Sequence, residues 1–362
     1  MENKKKIVHV VESFGGGVYN FLVDLLNNTI DEFDITVIYA LRPQTPDNFI
    51  NDFDKRIKFI HSKYMTRSIG LNDLKAFFEI KKLLKSESPD IVHCHSSKAG
   101  LLTRLATNTK KIKTFYTPHG YSFLMEDSSK LKRLIYRSIE KIGTLNHSII
   151  VACSKGEYEE SLKLTKRATY VSNGVNLEKL KKYIPDKIKQ INTKKLTFVT
   201  TGRVSYQKNP ELFNKIAENF PQIKFIWVGT GDLEDKLTSK NIEITGWKNR
   251  DELMEILNKS DIFILPSLWE GLPISLLEAM ALKKPCIVSN VIGNRDVISN
   301  ENNGFVCNNL NEFIEVIKNI QDNKYNLEKI SENAFNDIKN IYNTEVMCKK
   351  YCNIYKGEMN YG

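Results

Sequence analysis

The chain has 362 residues, 41% hydrophobic and 27% charged, with 53 Lys and Arg against 43 Asp and Glu and a formal net charge of +10. That length is about two domains of ordinary size, and the composition suits buried cores, which excludes a mainly disordered chain. No apolar run approaches the roughly 18 residues of a spanning helix, and MENKKKIVHVVESFGGG meets charge and glycine too early for a secretory signal, so a cytoplasmic protein is expected.

KIVHVV (6–11) reads as a first strand, leading through Gly15-Gly16-Gly17 into VYNFLVDLL, whose apolar residues recur at helical spacing. DITVIY (34–39) is the next strand and LKAFFEIKKLLK (74–85) an amphipathic helix. PDIVHCH (89–95), KTFYT (113–117) and SIIVA (148–152) follow as buried strands. This is the β-α-β rhythm of a parallel sheet. A polar, lysine-rich connection, KLKKYIPDKIKQINTKK (179–195), interrupts it. The rhythm then restarts with LTFVTTG (196–202), KFIWVG (224–229), IEITG (242–246), DIFILP (261–266) and PCIVS (285–289). The expected fold class is α/β, two Rossmann-like doubly wound domains facing a central cleft, at 1–180 and 186–341. Ligands of such sheets sit beyond the carboxyl ends of the strands.

Charge is unevenly spread. Residues 1–185 hold 30 Lys and Arg against 20 Asp and Glu, and residues 186–362 hold 23 against 23. The whole excess lies in the first half, which suits an anionic partner, either nucleic acid or an acidic membrane surface. The six cysteines include no C-x-x-C pair; Cys348 and Cys352 stand one helical turn apart without a second pair to complete a zinc site. Reduced, buried thiols are expected.

The turn F-G-G-G-V-Y-N departs from a dinucleotide fingerprint at Asn20, and the second strand ends at Tyr39 without an acidic residue for a ribose. An NAD enzyme is disfavoured, but the glycines still allow a ligand close to a helix N-terminus, a ready anion site. Arg203 and Lys208, in G-R-V-S-Y-Q-K-N-P, follow the first strand of the second half. A planar fork and a compact ammonium there suit a diphosphate. In P-S-L-W-E-G-L-P-I-S-L-L-E-A-M-A (266–281), Glu270 can point to the ligand while the N–H groups of Ile274, Ser275 and Leu276 meet a phosphate. Glu278 is then free for both hydroxyls of a ribose. His93 and His95 share one face of a strand with no third metal ligand identified.

G-R-x-x-x-x-K-N followed by E-G-L-P-x-S-L-L-E-A-M-A resembles the GT-B, family-4 (GT4) retaining glycosyltransferases. The glycine loop at 15–17, T-P-H-G with His119, A-C-S with Ser154, Asn173-Gly174-Val175, G-T-G at 229–231 and Gly246-Trp247 agree along nearly the whole chain. The segments H-S-S-K-A-G-L-L-T-R-L-A and T-P-H-G-Y-S-F look most like bacterial capsule, exopolysaccharide and O-antigen enzymes.

The resemblance implies a set of roles. Arg203 and Lys208 bind the donor diphosphate and stabilise the departing nucleotide, Glu270 orients the donor sugar, and Glu278 holds the ribose. Gly16 and Gly17 close over the phosphates, His119 reaches the sugar, and Gly229, Trp247 and Lys248 lie by the nucleotide. Arg203, Lys208, His119 and Glu270 are thus the catalytic candidates. A C-terminal helix near 342–362 packs back on the first domain. Two departures stand out: Lys283-Lys284-Pro285 lacks the usual glycine after the alanine-rich helix, and Asp296 replaces a glutamate.

The implied reaction moves an N-acetylhexosamine, or its 6-deoxy form, from a UDP-sugar to a lipid-linked (polyprenyl-diphosphate) saccharide in surface polysaccharide synthesis. No paired carboxylates at a recognisable spacing support a glycosyl-enzyme, so same-face substitution without a metal or other cofactor is expected. Asp52-Phe53-Asp54 matches the D-x-D triplet of the other glycosyltransferase architecture, but lies in a polar connection, so no metal site is expected there.

SKLKRLIYRSIEKI (129–142) and LKAFFEIKKLLK pair cations with apolar residues at helical spacing, as helices lying on an anionic leaflet do. Peripheral association with the inner face of the cell membrane follows, with no nucleic-acid partner. Two rival readings are a UDP-N-acetylglucosamine 2-epimerase-like isomerase and a non-catalytic nucleic-acid-binding protein. The second lacks any zinc finger, aromatic-rich strand or recognition-helix pattern.

Overall fold

The computed structural model describes residues 4–358 other than 67, 69, 126, 127 and 189. The chain separates into two compact units. One takes in the chain up to Leu124, residues 128–173 and the C-terminal stretch from Thr344; the other is Gly174–Asn343. Met125 also groups with the second unit, and the long crossing between the two falls at Asn173-Gly174.

Seven strands build the first unit: β1 (Lys5–Val11), β2 (Phe33–Tyr39), β3 (Lys58–His61), β4 (Ile91–His95), β5 (Lys113–Thr117), β6 (Ile149–Ala152) and β7 (Ala168–Tyr170). They form one sheet in the order β3-β2-β1-β4-β5-β6-β7, with every pairing parallel. A parallel sheet is covered on both faces, so its strands read as continuous apolar runs. Ile7, Val11, Ile35, Val37 and Ile91 pack with Leu22 and Leu26 of the helix Gly16–Thr29. Val8, Val10, Ile38 and Val92 pack on the opposite face with Ala76, Ile80 and Leu84 of the helix Leu71–Glu87.

The C-terminal helix, Thr344–Lys356, places Met347, Tyr351, Ile354 and Tyr355 in the same core as Leu22 and Leu26. Residues 359–362 of the helix expected near 342–362 lie outside the described residues. All six cysteines are buried and free.

The second unit holds β8 (Thr197–Thr201), β9 (Lys224–Val228), β10 (Ile242–Ile244), β11 (Ile262–Leu265), β12 (Cys286–Ser289) and β13 (Phe305–Cys307). Its sheet runs β10-β9-β8-β11-β12-β13, again wholly parallel. Both units are doubly wound. Strand order reverses between β1 and β4 in one and between β8 and β11 in the other, and ligands of such sheets bind outside the carboxyl ends at that reversal. Among the described residues, no helix is long and apolar enough to cross a membrane.

Candidate active site

In the second unit the loops after β8 and β11 flank the reversal, and they carry Arg203, Lys208 and Glu270. K-N-P is a helix-starting device. Asn209 sits at φ 55° and caps the helix Pro210–Glu218 by accepting from Leu212 N at 3.2 Å, with Pro210 in its first turn. The preceding 3-10 turn, Tyr206–Lys208, directs Lys208 Nζ to Glu270 Oε1 at 2.7 Å. Glu270 is buried and also accepts from Ser267 Oγ at 2.7 Å and Gln207 Nε2 at 3.3 Å. Leu268 N donates to Gln207 O at 2.8 Å, tying the two loops together. A buried carboxylate with an ammonium and two further donors is held in one orientation.

Arg203 is more exposed and pairs with Asp232 at 2.5 Å. The G-T-G segment packs tightly against this loop. A Cβ on Gly229, at φ 138°, would lie 2.2 Å from Gly202 O, so the residue at 229 must be glycine.

The helix Ile274–Ala281 begins at Pro273 without a side-chain cap. Leu276 N turns back to Pro273 O at 3.2 Å, so this N–H, expected to meet a phosphate, is engaged. Those of Ile274 and Ser275 have no hydrogen-bond partner among the described residues. Glu278, one turn along, is buried and receives the guanidinium of Arg250. Trp247 is 59% exposed beside Gly246, which bridges to Gly229. Lys248 reaches Glu252 at 3.8 Å.

The two departures are structural. Lys283 occupies the left-handed position after the helix, at φ 55°, and its amine donates to Pro185 O at 2.7 Å and Asp186 O at 3.2 Å. Asp296 accepts from Gly293 N at 3.1 Å, closing the turn that follows β12.

The remaining expected residues lie in the first unit. Gly16 stands at φ 56°, a left-handed conformation that favours glycine, with open space where a Cβ would go. Gly17 continues into the uncapped helix Gly16–Thr29. His119 follows β5, half-buried and also left-handed at φ 56°. Glu157 holds the next residue in place: one carboxylate oxygen accepts from Gly120 N at 2.6 Å and the other from Cys153 N at 2.7 Å. Ser154 is the N-cap of the helix Lys155–Leu162, accepting from Glu157 N at 3.2 Å. Burial raises the Glu157 carboxyl above the ordinary carboxylate range, and the two backbone donors pull it back.

Several contributors escaped the sequence reading. Gln207, Ser267, Asp232 and Arg250 carried no motif of their own. Glu157 did carry a signal, the S-x-x-E spacing from Ser154. His9 on β1 is the third histidine that His93 and His95 lacked: one nitrogen from each of the three lies within 4.8 Å of the others. Five of the six ring nitrogens of these histidines already hold hydrogen bonds, to one another, to His119, to Thr117 and to Tyr355. The D-x-D carboxylates are engaged as well, Asp52 with the Tyr19 hydroxyl and Asp54 with Arg56 at 2.8 Å. The Arg56 guanidinium holds the Asp54 carboxyl down at about 2.

Residues 15–179 match the family described as Glycosyltransferase Family 4, and residues 184–337 that described as Glycosyl transferases group 1. The chain is 33% identical to the UDP-Gal:alpha-D-GlcNAc-diphosphoundecaprenol alpha-1,3-galactosyltransferase of Escherichia coli, over 92% of this chain and 90% of that one. It is 25% identical to the N,N'-diacetylbacillosaminyl-diphospho-undecaprenol alpha-1,3-N-acetylgalactosaminyltransferase of Campylobacter jejuni, over 94% of this chain and 96% of the relative. Sucrose-phosphate synthase of Thermosynechococcus elongatus superposes with a TM-score of 0.81 over 98% of this chain and 99% of the other, at 15% identity. That likeness carries the fold alone.

Proposed function

For a chain that belongs to the GT-B, family-4 glycosyltransferases, we propose a UDP-sugar donor and an acceptor sugar carried on a polyprenyl diphosphate, joined with retention at the anomeric carbon. The observation that carries this reading is the buried Lys208–Glu270 pair at the β8/β11 reversal, on the same strand-end loops as Arg203 and, a few residues after Glu270, the free N–H groups of Ile274 and Ser275. A diphosphate satisfies the cations and the N–H groups. The buried carboxylate of Glu270 accepts hydroxyls of the transferred sugar, and Glu278 accepts those of the ribose. The relatives' names, with UDP-Gal as donor and diphospho-undecaprenol acceptors, support the same substrate classes. The sugar we propose is a hexose or N-acetylhexosamine.

In the proposed step the acceptor oxygen approaches the face from which the diphosphate leaves. Its bond to the anomeric carbon forms as the carbon–oxygen bond to the nucleotide breaks, and the acceptor proton passes to the departing phosphate oxygen. Lys208, Arg203 and the helix N–H groups stabilise the charge that grows there, so the step is proposed to run without a metal. Gly16, Gly17 and His119 are the first unit's proposed contribution.

The basic first half has a use in the same reading. The helix Leu71–Glu87 exposes Leu74 and Phe78 beside Lys75 and Lys82, and the helix Lys130–Gly143 exposes Leu131 and Leu134 beside Lys132 and Arg137. Exposed apolar side chains among cations suit an anionic bilayer surface, where a lipid-linked acceptor resides. Each near-surface cation is worth about 1 kcal/mol there.

The test supplies the purified protein with UDP-galactose, UDP-N-acetylgalactosamine or UDP-N-acetylglucosamine and a polyprenyl-diphospho-N-acetylglucosamine, with and without EDTA. An α-linked disaccharide lipid, unaffected by EDTA, is expected. No transfer from any UDP-sugar overturns the substrate classes, a β product overturns retention, and loss with EDTA overturns metal independence. Anionic vesicles should bring the protein up in flotation at low salt but not at high salt.

A further inference from the structure

The first unit contains a chain of imidazoles that the proposed reaction does not use directly. β1 and β4 are parallel neighbours with His9 opposite His93, which sets His9 beside His93 and, two residues along the same face, His95. His9 Nδ1 lies 3.0 Å from His95 Nε2, and His95 Nδ1 lies 3.2 Å from His119 Nε2. The rings are nearly coplanar in direction, with interplanar angles of 12° and 26°. His93 stands outside this chain, since its nitrogens are taken by Tyr355 OH at 2.7 Å and Thr117 Oγ1 at 2.9 Å. Phe21 packs edge-on to His119 at 4.9 Å.

His9 and His95 are wholly buried, and desolvation lowers all three imidazoles of the chain, His9 and His119 to about 3. A neutral imidazole donates through one nitrogen and accepts through the other, so the tautomers of three linked rings are not independent. Only two arrangements make both hydrogen bonds. In one, protons run inward: His119 Nε2–H donates to His95 Nδ1, His95 Nε2–H donates to His9 Nδ1, and His9 is left with a buried Nε2–H. In the other, they run outward: His9 Nδ1–H donates to His95 Nε2, His95 Nδ1–H donates to His119 Nε2, and His119 carries its proton on Nδ1.

The inner end decides between them. His9 Nε2 is buried with no hydrogen-bond partner. The inward arrangement would strand an N–H donor there, whereas the outward one leaves only a lone pair. Orphaned buried N–H groups are rarer than under-satisfied acceptors. At the other end, His119 Nδ1 has no partner among the described residues and is the ring nitrogen left to a ligand.

We propose that His9 and His95 are positioning residues for His119, fixing it as the Nδ1–H tautomer so that it presents a hydrogen-bond donor to an oxygen of the transferred sugar. The link to the sugar rests on the glycosyltransferase reading above; the tautomer does not. The proposal turns a buried histidine pair into a determinant of sugar recognition, because a donor at that point favours a sugar oxygen and disfavours a hydroxyl held as a donor.

The six histidines make the test direct. Long-range nitrogen–proton correlation spectra of the 15N-histidine-labelled full chain report the protonated nitrogen of each ring, and His119→Asn identifies the His119 signals by their loss. Protonated Nδ1 and bare Nε2 are expected for His119 in the wild type without any substrate, and a proton on Nε2 would overturn the proposal outright.

His95→Leu should release the tautomer and lower kcat with the proposed donor and acceptor at least tenfold. His95→Gln, whose amide both accepts and donates, should recover much of that loss. UDP affinity should change less than twofold in both. A wild-type rate in His95→Leu overturns the positioning role, while a wild-type protein that fails to bind UDP overturns the UDP-sugar donor proposed above and leaves the tautomer result standing. Should His95→Leu fold poorly, the wild-type spectrum and His9→Gln carry the same decision.

Discussion

The two units share a topology and differ in how they charge its functional end. At the β8/β11 reversal the cations stand beside carboxylates: Lys208 has Glu270, Arg203 has Asp232, and Arg250, which the sequence did not single out, covers Glu278. At the β1/β4 reversal the corresponding space is lined by imidazoles kept neutral through burial and by a glycine turn. The first pattern suits a dianionic leaving group, because each cation can take up an incoming anion while its carboxylate turns to hydroxyls. The second suits an uncharged sugar, for which fixed dipoles discriminate better than charge. One sheet design therefore serves two chemistries, and the side chains at the strand ends decide which.

The sharpest way to break this contrast is to place an unpaired charge in the first unit. Arg104 and Glu140 form a fully buried ion pair there, 2.9 Å apart, with the Tyr116 hydroxyl 2.8 Å from the same carboxylate. Glu140→Gln strands the guanidinium and should cost about 3–5 kcal/mol in urea unfolding. Loss below 1 kcal/mol would show that water reaches the pair.

In the second unit, Lys208→Ala should cost about 2.7–4 kcal/mol of transition-state stabilisation, read as a fall in kcat of two to three orders of magnitude. Its unfolding midpoint should fall as well, because Glu270 is left buried with only the Ser267 and Gln207 donors. A rate within tenfold of wild type would remove Lys208 from the proposed chemistry.

Acid should separate the units next. His9 and His119 titrate near 3 in the fold against 6.5 as free side chains, and burial lowers His93 and His95 in the same direction. Between those values the unfolded chain binds more protons than the native one, so stability falls as pH drops below 6.5. Each such ring contributes a slope of up to about 1.4 kcal/mol per pH unit. Urea titrations at pH 7 and 5.5 should show the loss, and His9→Phe should flatten it. The smallest effect is expected at Lys283, where glycine relieves the left-handed strain but loses the tie to Pro185 and Asp186. A net gain of about 1 kcal/mol in thermal unfolding is expected, and a net loss would show that the tie dominates.

The long buried strands and the second unit's motif residues were legible because a both-faces-buried strand leaves an apolar run, and a strand-end loop concentrates glycine, proline and charge. β3, β7 and β13 escaped notice. They are three or four residues long and all three lie at sheet edges; on β3 and β7 the exposed Lys58, His61 and Tyr170 also break the apolar run. The histidine chain was illegible for another reason. His9 meets His93 and His95 only through the β1/β4 register, across more than eighty residues of sequence, and no local spacing encodes a register. Arg250 likewise reaches Glu278 from a separate helix.

The Thr344–Lys356 helix, finally, bears on how a ribosome delivers this protein. Tyr355, which binds His93, and Tyr351, which packs against Phe21, are made only after the whole of Gly174–Asn343. At translation speeds of about 5–20 residues per second, the nascent first sheet waits roughly 10–35 s with one face only partly covered. A chaperone that shelters apolar surface has its natural client in that interval, and a message cut short before codon 344 yields a second unit able to finish beside a first that cannot.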